Sequence, residues 1–459
     1  MHRCSMESKI TSLVQWLNES DQFKLAPHLR VNESDESGRG IVLIDGALKK
    51  NENIVSVPGT YQLNFHTVLH HISKFNRTLK IPRVTTGHEQ IDEQELSDPR
   101  YKAYNILSQE FLLNLSSFQL LALYILAEWV LLPFWSHGRI KSFWEPFFAV
   151  WPTQEELKSF PAIWSCSKKS EYRHLLDVLP SASKKHMIKL SKLMENDWAI
   201  ISPIIIEWDS LFGTNAELPK KDELFEEFLH IYCIINSRCL YKEVPLKKHD
   251  LASQFTMVPF VDFLNHTQEV DVHCYPFKHS LRKDLYSLGP FTIKCGNHMY
   301  KIPGEEILLN YGAHSNDFLI NEYGFVIKQN NWDSLDISKE VCAMITDDAM
   351  IQFLKINDYW EDYTINMTGI SYRVVVAMSL AVTGDYKKAE KLLLGIISED
   401  YFFPKIKDSL CVILLRLRKQ FVQTIQFLER ERDICSQNLL TIFQQYVEII
   451  DGNLSRINK

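Results

Sequence analysis

The chain has 459 residues, enough for two or three domains, and 46% of them are hydrophobic. Its 50 lysines and arginines against 57 aspartates and glutamates give a formal net charge of −7, which argues against a dedicated nucleic-acid binder. Glycine and proline make up roughly 7% of the residues against an average near 12%, so collagen-like and disordered chains are excluded and a helix-rich protein is expected.

The cysteine spacing and the first residues of the chain bear on metal binding and on the cellular compartment. The nine cysteines form no C-x-x-C pair and no zinc-type spacing with histidines. The start of the chain, MHRCSMESKITSLVQWL, lacks the apolar stretch and small-residue cleavage site of a secretory signal. We therefore expect no metal centre and a location in the cytoplasm, with the nucleus as a further compartment.

The first hundred residues predict a helix followed by a small β unit. Residues 8–22 have the pattern of a short amphipathic helix, with one apolar face formed by Ile10, Leu13, Val14 and Leu17. The β-branched runs IVLI and NIVSVP then indicate strands. Residues 76–101 are polar with two prolines and predict a linker or long loop.

Residues 102–240 have mostly helical periodicity. Within them, residues 111–134 (FLLNLSSFQLLALYILAEWVLLPF) are long and apolar enough to suggest a membrane span. Polar residues interrupt the tract at Asn114, Ser116, Ser117, Gln119 and Glu128. A buried core helix is therefore expected instead.

Strand patterns return between 256 and 328, and helical patterns continue from about 335 to the end. Neither β-rich piece has enough strands to bury its own faces, so we predict one β domain split by a helical insertion. The fold class is α+β. The predicted parts are an N-terminal helix at 1–28, a split β domain at 29–100 and 236–330, a helical insert at 101–235 and an all-helical domain at 331–459.

Two motifs carry polar residues beside predicted strands. The G-R-G triplet at 38–40 is no full nucleotide-binding fingerprint, and it fits either a tight turn or close backbone approach to a ligand. The stretch VPFVDFLNH (258–266) ends an apolar strand in Asp262, Asn265 and His266. Such polar strand ends occur in ordinary loops as well as in functional sites.

A third motif is PGEEILLNYGAHSNDFLINEYGFV (303–326). It places Tyr311 at the end of a predicted strand, with Asn316, Tyr323 and Phe325 close behind. Aromatic residues at this spacing belong to a hydrophobic core more often than to a cofactor site, so the motif alone leaves both interpretations open.

Taken in order, SGRG, NSRCLY, VPFVDFLNH, GEEILLNYG and EYGFV resemble the split SET domain of protein lysine methyltransferases. The resemblance is to the group that includes the Rubisco large-subunit methyltransferase and the fungal ribosomal-protein lysine methyltransferases. SFWEPFFAVWP (142–152) and FPAIWS (160–165) are similar to that group's S-x-W-x-P segment and the Pro-x-x-Trp that follows it. The resemblance implies a helical insertion in the SET domain and a helical substrate-binding domain after it.

The resemblance also implies S-adenosyl-L-methionine as methyl donor and a protein lysine as acceptor, with no metal. Residue by residue, it implies a catalytic tyrosine, Tyr311; a cofactor-binding set, Ser37, Arg39, Arg238, Asn265, His266 and Phe325; and a substrate-lysine channel, Asp262, Tyr275 and Tyr323. The group often has phenylalanine two residues after the arginine, where this chain has Leu240. The number of methyl groups added therefore stays open.

Such a site must align two reactants and deliver a neutral amine. Transfer from a sulfonium to an amine is an in-line displacement, and alignment can lower its barrier by up to about 7–11 kcal/mol. A lysine with pKa ~10.4 costs ~4.6 kcal/mol to deprotonate at pH 7. An apolar channel beside a cation lowers that pKa by desolvation and like charge.

The sequence thus predicts a protein-lysine N-methyltransferase acting on a ribosomal protein or translation factor. We expect a monomer without direct nucleic-acid or membrane contact. One alternative is a protein-histidine methyltransferase, and another is a non-catalytic binding module with a vestigial SET pocket. Histone-type SET enzymes commonly have a zinc-binding cysteine cluster after this motif, and no such cluster follows EYGFV here. The resemblance therefore makes histones less expected substrates.

Overall fold

The computed structural model of the protein describes residues 5–34, 38–81, 97–213, 219–270, 272–278 and 288–457. Its α-helices are α1 (Met6–Leu17), α2 (Phe65–Phe75), α3 (Pro99–Asn105), α4 (Gln109–Asn114), α5 (Ser117–Ile125), α6 (Leu132–Trp135), α7 (Glu145–Phe148), α8 (Pro161–Cys166), α9 (Ser181–Phe212), α10 (Lys221–Arg238), α11 (Asn316–Glu322), α12 (Ser338–Cys342), α13 (Asp348–Ile356), α14 (Tyr372–Thr383), α15 (Tyr386–Leu393), α16 (Glu399–Leu428) and α17 (Ile434–Ile457). Its strands are β1 (Lys24–Leu25), β2 (Leu29–Ser34), β3 (Gly38–Leu43), β4 (Asn53–Val57), β5 (Cys239–Tyr241), β6 (Phe255–Met257), β7 (Asn265–His266), β8 (Tyr275–Phe277), β9 (Phe291–Lys294), β10 (Leu308–Leu309), β11 (Ser334–Asp336), β12 (Thr364–Asn366) and β13 (Gly369–Ile370).

The chain forms two compact units. The first comprises Met1–Leu157 and Ser191–Gly312, and the second comprises Lys158–Leu190 and Ala313–Lys459. These units divide the chain at other positions than the predicted domains do. Part of the predicted insert joins the tail because the apolar side chains of Trp164, Leu175 and Met187 belong to the tail's hydrophobic core.

Small sheets built from distant segments characterise the first unit. An antiparallel sheet has the order β1-β4-β9-β8, β2 and β3 form a hairpin, and β5 pairs with β6. Strand β4 is almost wholly buried, as the β-branched run NIVSV predicts. Because β9 and β10 come more than two hundred residues after β3 and β4, the predicted split β domain is present.

A parallel pair of two-residue strands is the feature that matters most for function. Leu308 of β10 lies opposite Asn265 of β7, and Leu309 lies opposite His266. Parallel strands need a long connection, and here the chain between them includes β8 and β9. The motifs VPFVDFLNH and GEEILLNYG therefore lie side by side.

The apolar tract of the insert is a long buried helix. Helix α5 continues through a π-helical turn at Leu126–Leu131 into α6. Residues Ser117–Trp135 are long and apolar enough to cross a membrane, but 67% of that window is buried inside the protein. The buried Glu128 accepts a hydrogen bond from Ser142 at 2.7 Å and faces Arg100 at 3.5 Å. This burial is the behaviour expected of a core helix.

The second unit is mainly helical, as predicted. Its core lies among α14, α16 and α17, whose inward faces are aliphatic and aromatic. Helix α14 ends at Gly384 with φ +63°, a left-handed C-terminal cap that glycine adopts without strain. The unit also contains the small antiparallel sheet β11-β12-β13, which the sequence analysis did not predict because its strands are only two or three residues long.

Helix α1 is shorter than the predicted 8–22. It begins at Met6 behind the capping hydroxyl of Ser5 and ends at Leu17, where Asn18 caps it. Its fully buried face consists of Leu13, Trp16 and Leu17. The amphipathic pattern located the helix, and its two caps decided the ends.

Candidate active site

Tyr311 follows β10 and is held by the strand beside it. Its backbone N–H donates to Nδ1 of His266 at 3.0 Å, and the two rings lie 5.0 Å apart. His266 therefore presents an acceptor nitrogen to the backbone of Tyr311. This contact gives His266 a positioning role rather than that of a free base.

Tyr311 is held by hydrogen bonds at its backbone and at its hydroxyl group. Its hydroxyl donates to the backbone carbonyl of Leu264 at 2.6 Å. Because Leu264 precedes β7 directly, the ring spans from one strand of the parallel pair to the other. The geometry leaves the hydroxyl oxygen oriented and able to accept a further hydrogen bond.

Asn265 connects three segments of the first unit. Its side-chain N–H groups donate to the backbone carbonyl of Arg39 at 3.2 Å and to Oε1 of Glu306 at 2.7 Å. Gly40 leaves room for this arrangement, because a Cβ there would lie 2.1 Å from Oε1 of Glu306 and 2.9 Å from Nδ2 of Asn265. A hydrogen bond thus joins the G-R-G triplet to Asn265.

Arg39 contributes its backbone to this cluster, while its side chain is used elsewhere. The guanidinium is 7% exposed, pairs with Glu156 at 2.7 Å and donates to the carbonyl of Val150 at 2.6 Å. Gly38 begins β3 with φ +67°, and a Cβ there would meet no atom within 4 Å. Ser37, the other predicted residue of this turn, lies outside the described residues.

A charge pair of the partly buried Arg238 and the buried Asp262 lies within electrostatic reach of Tyr311. Nε of Arg238, the last residue of α10, is 4.0 Å from Oδ2 of Asp262. Oδ1 of Asp262 has no hydrogen-bond partner among the described residues. Burial raises the pKa of Asp262 to about 6, although the charges of Arg238 and Arg39 oppose the rise. Burial also lowers the pKa of Arg238, and the charges of Asp262 and Tyr311 oppose that.

The backbone is strained just before Asp262. Phe260 has φ +70° and ψ −36°, although its side chain is bulky and fully buried. Such a conformation costs about 1–3 kcal/mol and persists only where the surroundings enforce it. It turns the chain sharply out of β6 into the turn Val261–Phe263, and so directs Asp262 towards Arg238.

The remaining predicted site residues lie on other elements of the chain. Tyr275 lies in β8 at the edge of the sheet, 37% exposed, and its hydroxyl donates to Asn51 at 2.9 Å. Tyr323 and Phe325 belong to the second unit, where their rings lie 6.0 Å apart. Gly324 between them has φ +78°, and its carbonyl accepts a hydrogen bond from Ser159 at 2.6 Å.

Sequence reasoning missed Glu306, Glu156 and the strain at Phe260. Glu306 stands inside the GEEILLNYG motif, and a carboxylate at the start of an apolar strand is a signal that could have identified it. Glu156 offered no such signal, because it lies over a hundred residues from its partner Arg39.

The arrangement can position two bound reactants for group transfer. It combines an oriented phenol, a neutral imidazole, a turn with open backbone and a buried pair of opposite charges. Among the residues that the structure describes, no group of three or more His, Cys, Asp or Glu side chains could hold a metal ion.

Comparisons with known proteins place the chain among methyltransferases. Residues 333–456 match the family model described as the ribosomal lysine N-methyltransferase 2 C-terminal domain. The chain is 48% identical to ribosomal lysine N-methyltransferase 2 of Saccharomyces cerevisiae, over 98% of this chain and 99% of the yeast protein.

Two solved structures have a similar fold. The SET domain of LSMT bound to lysine and AdoHcy has a TM-score of 0.57 at 16% identity and covers 99% of this chain and 92% of its own. Rubisco LSMT bound to AdoMet has a TM-score of 0.53 at 16% identity, covering 98% of this chain and 91% of its own. The predicted α+β fold with a split SET domain is confirmed.

Proposed function

Because the chain belongs to the ribosomal lysine N-methyltransferase 2 family, we propose that it methylates a lysine side chain of a ribosomal protein with S-adenosyl-L-methionine. The observation that carries this function is the parallel pairing of β7 and β10, which positions Tyr311 between His266 and Leu264. The near full-length identity of 48% to the yeast enzyme supports it.

The turn at 38–40 fits the methyl donor. Open space at Gly38 lets a ligand approach the backbone closely, as glycine permits. Asn265 and Glu306 hold the following residues of the turn in place. When bound there, S-adenosylmethionine supplies an electrophilic methyl group on a cationic sulfur. Arg39, Asn265 and His266 would hold it through their backbones and through the ordering of the turn.

Tyr311 is assigned the alignment of the acceptor amine. Its hydroxyl hydrogen already points to the carbonyl of Leu264, so its oxygen lone pairs are available to the amine hydrogens of the incoming lysine. Alignment of this kind is worth most when the reactive atoms are held about 3–3.5 Å apart along the line of displacement. The phenol is rigid because His266 fixes its backbone.

Arg238 and Asp262 set the charge of the site. The ionised Asp262 neutralises Arg238, so the site can receive a cationic sulfonium without adding repulsion. Asp262 with a pKa of about 6 is mainly ionised at neutral pH. We assign the pair a positioning and electrostatic role.

The proposal also covers the substrate, the oligomeric state and the cellular location of the enzyme. We propose a ribosomal protein as substrate, a monomeric enzyme in the cytoplasm with the nucleus as a further compartment, and no direct contact with nucleic acid or membrane. The formal net charge of −7 suits a basic protein client. We also propose that the helical tail, whose residues 333–456 match the family model, binds the substrate protein.

The test is methyl transfer from radiolabelled S-adenosylmethionine by the full chain to ribosomal proteins extracted from cells that lack the activity. We expect labelled methyllysine in the acid hydrolysate, at least tenfold above the Tyr311→Phe variant. Tyr401→Phe, which alters an exposed tyrosine of the tail, is the matched control and should retain full transfer.

Labelled methylhistidine instead of methyllysine would overturn the lysine assignment. Failure of the wild type to label any fraction, together with failure to bind S-adenosylmethionine by calorimetry, would favour the non-catalytic binding module.

A further inference from the structure

Two free cysteines face each other beside the strand that carries Tyr311. The antiparallel register of β8 and β9 pairs Tyr275 with Lys294. One step further along the same ladder places Cys274 opposite Cys295. Both side chains are buried, and both thiols are free.

The backbone geometry of this pair suits a disulfide. The N–H of Cys274 donates to Leu308 at 2.9 Å, whereas the N–H of Cys295 donates to Glu52 at 2.9 Å. Because both donors point away from the opposite strand, the cysteines form a non-hydrogen-bonded pair, in which Cα atoms lie about 4.5 Å apart. Disulfides span Cα separations of about 4.4–6.8 Å, so this pair is within reach.

The side chains are in contact as well. The two thiols interact directly, which raises the pKa of Cys274 and lowers that of Cys295. The Cys295 thiol also donates to the backbone carbonyl of His298 at 3.3 Å. The next residue confirms how closely the strands approach, since a Cβ on Gly296 would lie 1.8 Å from the carbonyl oxygen of His273. We assign Cys295, whose pKa is lowered by its contact with Cys274, as the thiol that reacts first.

We propose that Cys274 and Cys295 form a reversible oxidation site that closes to a cross-strand disulfide in the presence of a peroxide. The Cys295 thiolate attacks one peroxide oxygen, the O–O bond breaks, and hydroxide leaves and takes up a proton to become water. The Cys274 sulfur then displaces the hydroxyl from the Cys295 sulfenic acid, and its own proton leaves with that hydroxyl as a second water. Two thiols are oxidised and one peroxide is reduced, and a dithiol reductant reverses the reaction.

The disulfide is positioned to affect methyl transfer, an effect that rests on the proposed function. Cys274 pairs with Leu309 of β10 and donates to Leu308, and Tyr311 follows two residues later. Bond formation draws the two sulfurs to about 2.05 Å. This movement pulls on β10, and displacement of a positioned group by about 1 Å can cost 10²-fold in rate. We expect oxidation to lower transfer at least fivefold.

The site itself is tested without any activity assay. Trypsin releases Cys274 in residues 249–278 and Cys295 in residues 295–301, each the single cysteine of its peptide. After treatment of the full chain with hydrogen peroxide, we expect these peptides linked in the mass spectrum, and separate again after dithiothreitol. If both thiols stay free at a peroxide dose that oxidises the partly exposed Cys411, the oxidation site is disproved.

The regulatory effect is tested on the same samples. Wild-type transfer should fall with formation of the linked peptide and return with dithiothreitol, whereas Cys295→Ser and Cys274→Ser should keep their transfer under the same peroxide. Cys411→Ser is the matched control and should remain as sensitive as wild type. A linked peptide with unchanged transfer would overturn the regulatory effect, and an inactive reduced wild type would instead contradict the proposed function.

Discussion

Two buried aspartates, one in each compact unit, have the same direction of pKa shift but different surroundings. Asp317 in α11 accepts hydrogen bonds from the backbone and hydroxyl of Ser183, at 3.1 and 2.5 Å, and from the hydroxyl of Tyr446. Asp262 faces Arg238 at 4.0 Å, and its Oδ1 has no hydrogen-bond partner among the described residues. Burial raises the pKa of both carboxyls.

The difference separates a structural network from a reactive one. A buried carboxylate with satisfied oxygens rigidifies the elements around it. A carboxylate left with an open oxygen beside a long ion pair costs stability and is typical of functional sites, where charge must respond to a ligand. Polar groups around Asp262 should therefore affect methyl transfer, and those around Asp317 should affect the free energy of unfolding.

The largest expected effect concerns the tyrosine of the reactive region. Tyr311→Phe removes the hydroxyl that we assign to amine alignment, so we expect kcat for methyl transfer to fall about 100-fold. The melting temperature should stay close to that of wild type, because the ring and the contact with His266 remain. Steady-state kinetics with calorimetric melting measures both. Unchanged kcat would mean that Tyr311 is a structural residue.

The matched change in the structural region is Tyr446→Phe. It removes a hydroxyl that donates to Asp317 and leaves that buried carboxylate with one partner fewer. We expect a loss of about 1–3 kcal/mol in the free energy of unfolding, the range for an unsatisfied buried group. Denaturant unfolding measures the loss. If kcat of the folded enzyme fell as much as in Tyr311→Phe, the distinction between the two networks would be wrong.

Asp262→Asn should reveal the pH dependence of the reactive region. Below pH 6 the wild-type carboxyl is protonated and leaves Arg238 uncompensated; above pH 6 it is ionised. The ratio of the wild-type to the variant transfer rate should thus be near one at pH 5 and rise through pH 6 to about 10. A tenfold ratio corresponds to an interaction worth about one pKa unit, or ~1.36 kcal/mol. The ratio cancels the ionisation of the substrate amine, which affects both proteins alike.

Asp317→Asn serves as the control for this profile, and its ratio to wild type should not change with pH. The contribution of Asp262 to the free energy of unfolding changes with pH in the opposite direction to its contribution to methyl transfer. Because the folded Asp262 has a pKa above the ordinary value of ~3.9, it contributes to the stability of wild type below about pH 4, and this contribution is lost as pH rises through 6. A flat activity ratio for Asp262→Asn would assign that residue a structural role.

The smallest effect is expected at the turn. Gly40→Ala places a methyl group 2.1 Å from Oε1 of Glu306, so this flexible carboxylate must move away from Asn265. We expect a few-fold rise in the Kd for S-adenosylmethionine by calorimetry, with kcat at saturation nearly unchanged. A change in kcat with no change in Kd would show that the turn acts on the tyrosine instead of on the donor.

The sequence by itself determined the fold class and predicted most residues of the candidate site. Strand patterns on either side of a helical stretch predicted the split β domain, and two motifs supplied Asn265, His266 and Tyr311 in one resemblance. Asn265 and His266 form β7, Tyr311 follows β10, and the pairing of these two short strands brings the motifs together. Local pattern sufficed there because each motif holds its chemistry within a few residues.

Only the tertiary structure decided the partners of those residues. Glu156 lies far along the chain from Arg39, the edge position of Tyr275 depends on its neighbours in the sheet, and Cys274 meets Cys295 through strand register. The division of the chain at 157 and 312 follows from the packing of apolar side chains into a common core. Hydrogen bonds and burial between distant segments depend on how the whole chain is arranged in space, and no local sequence pattern records them.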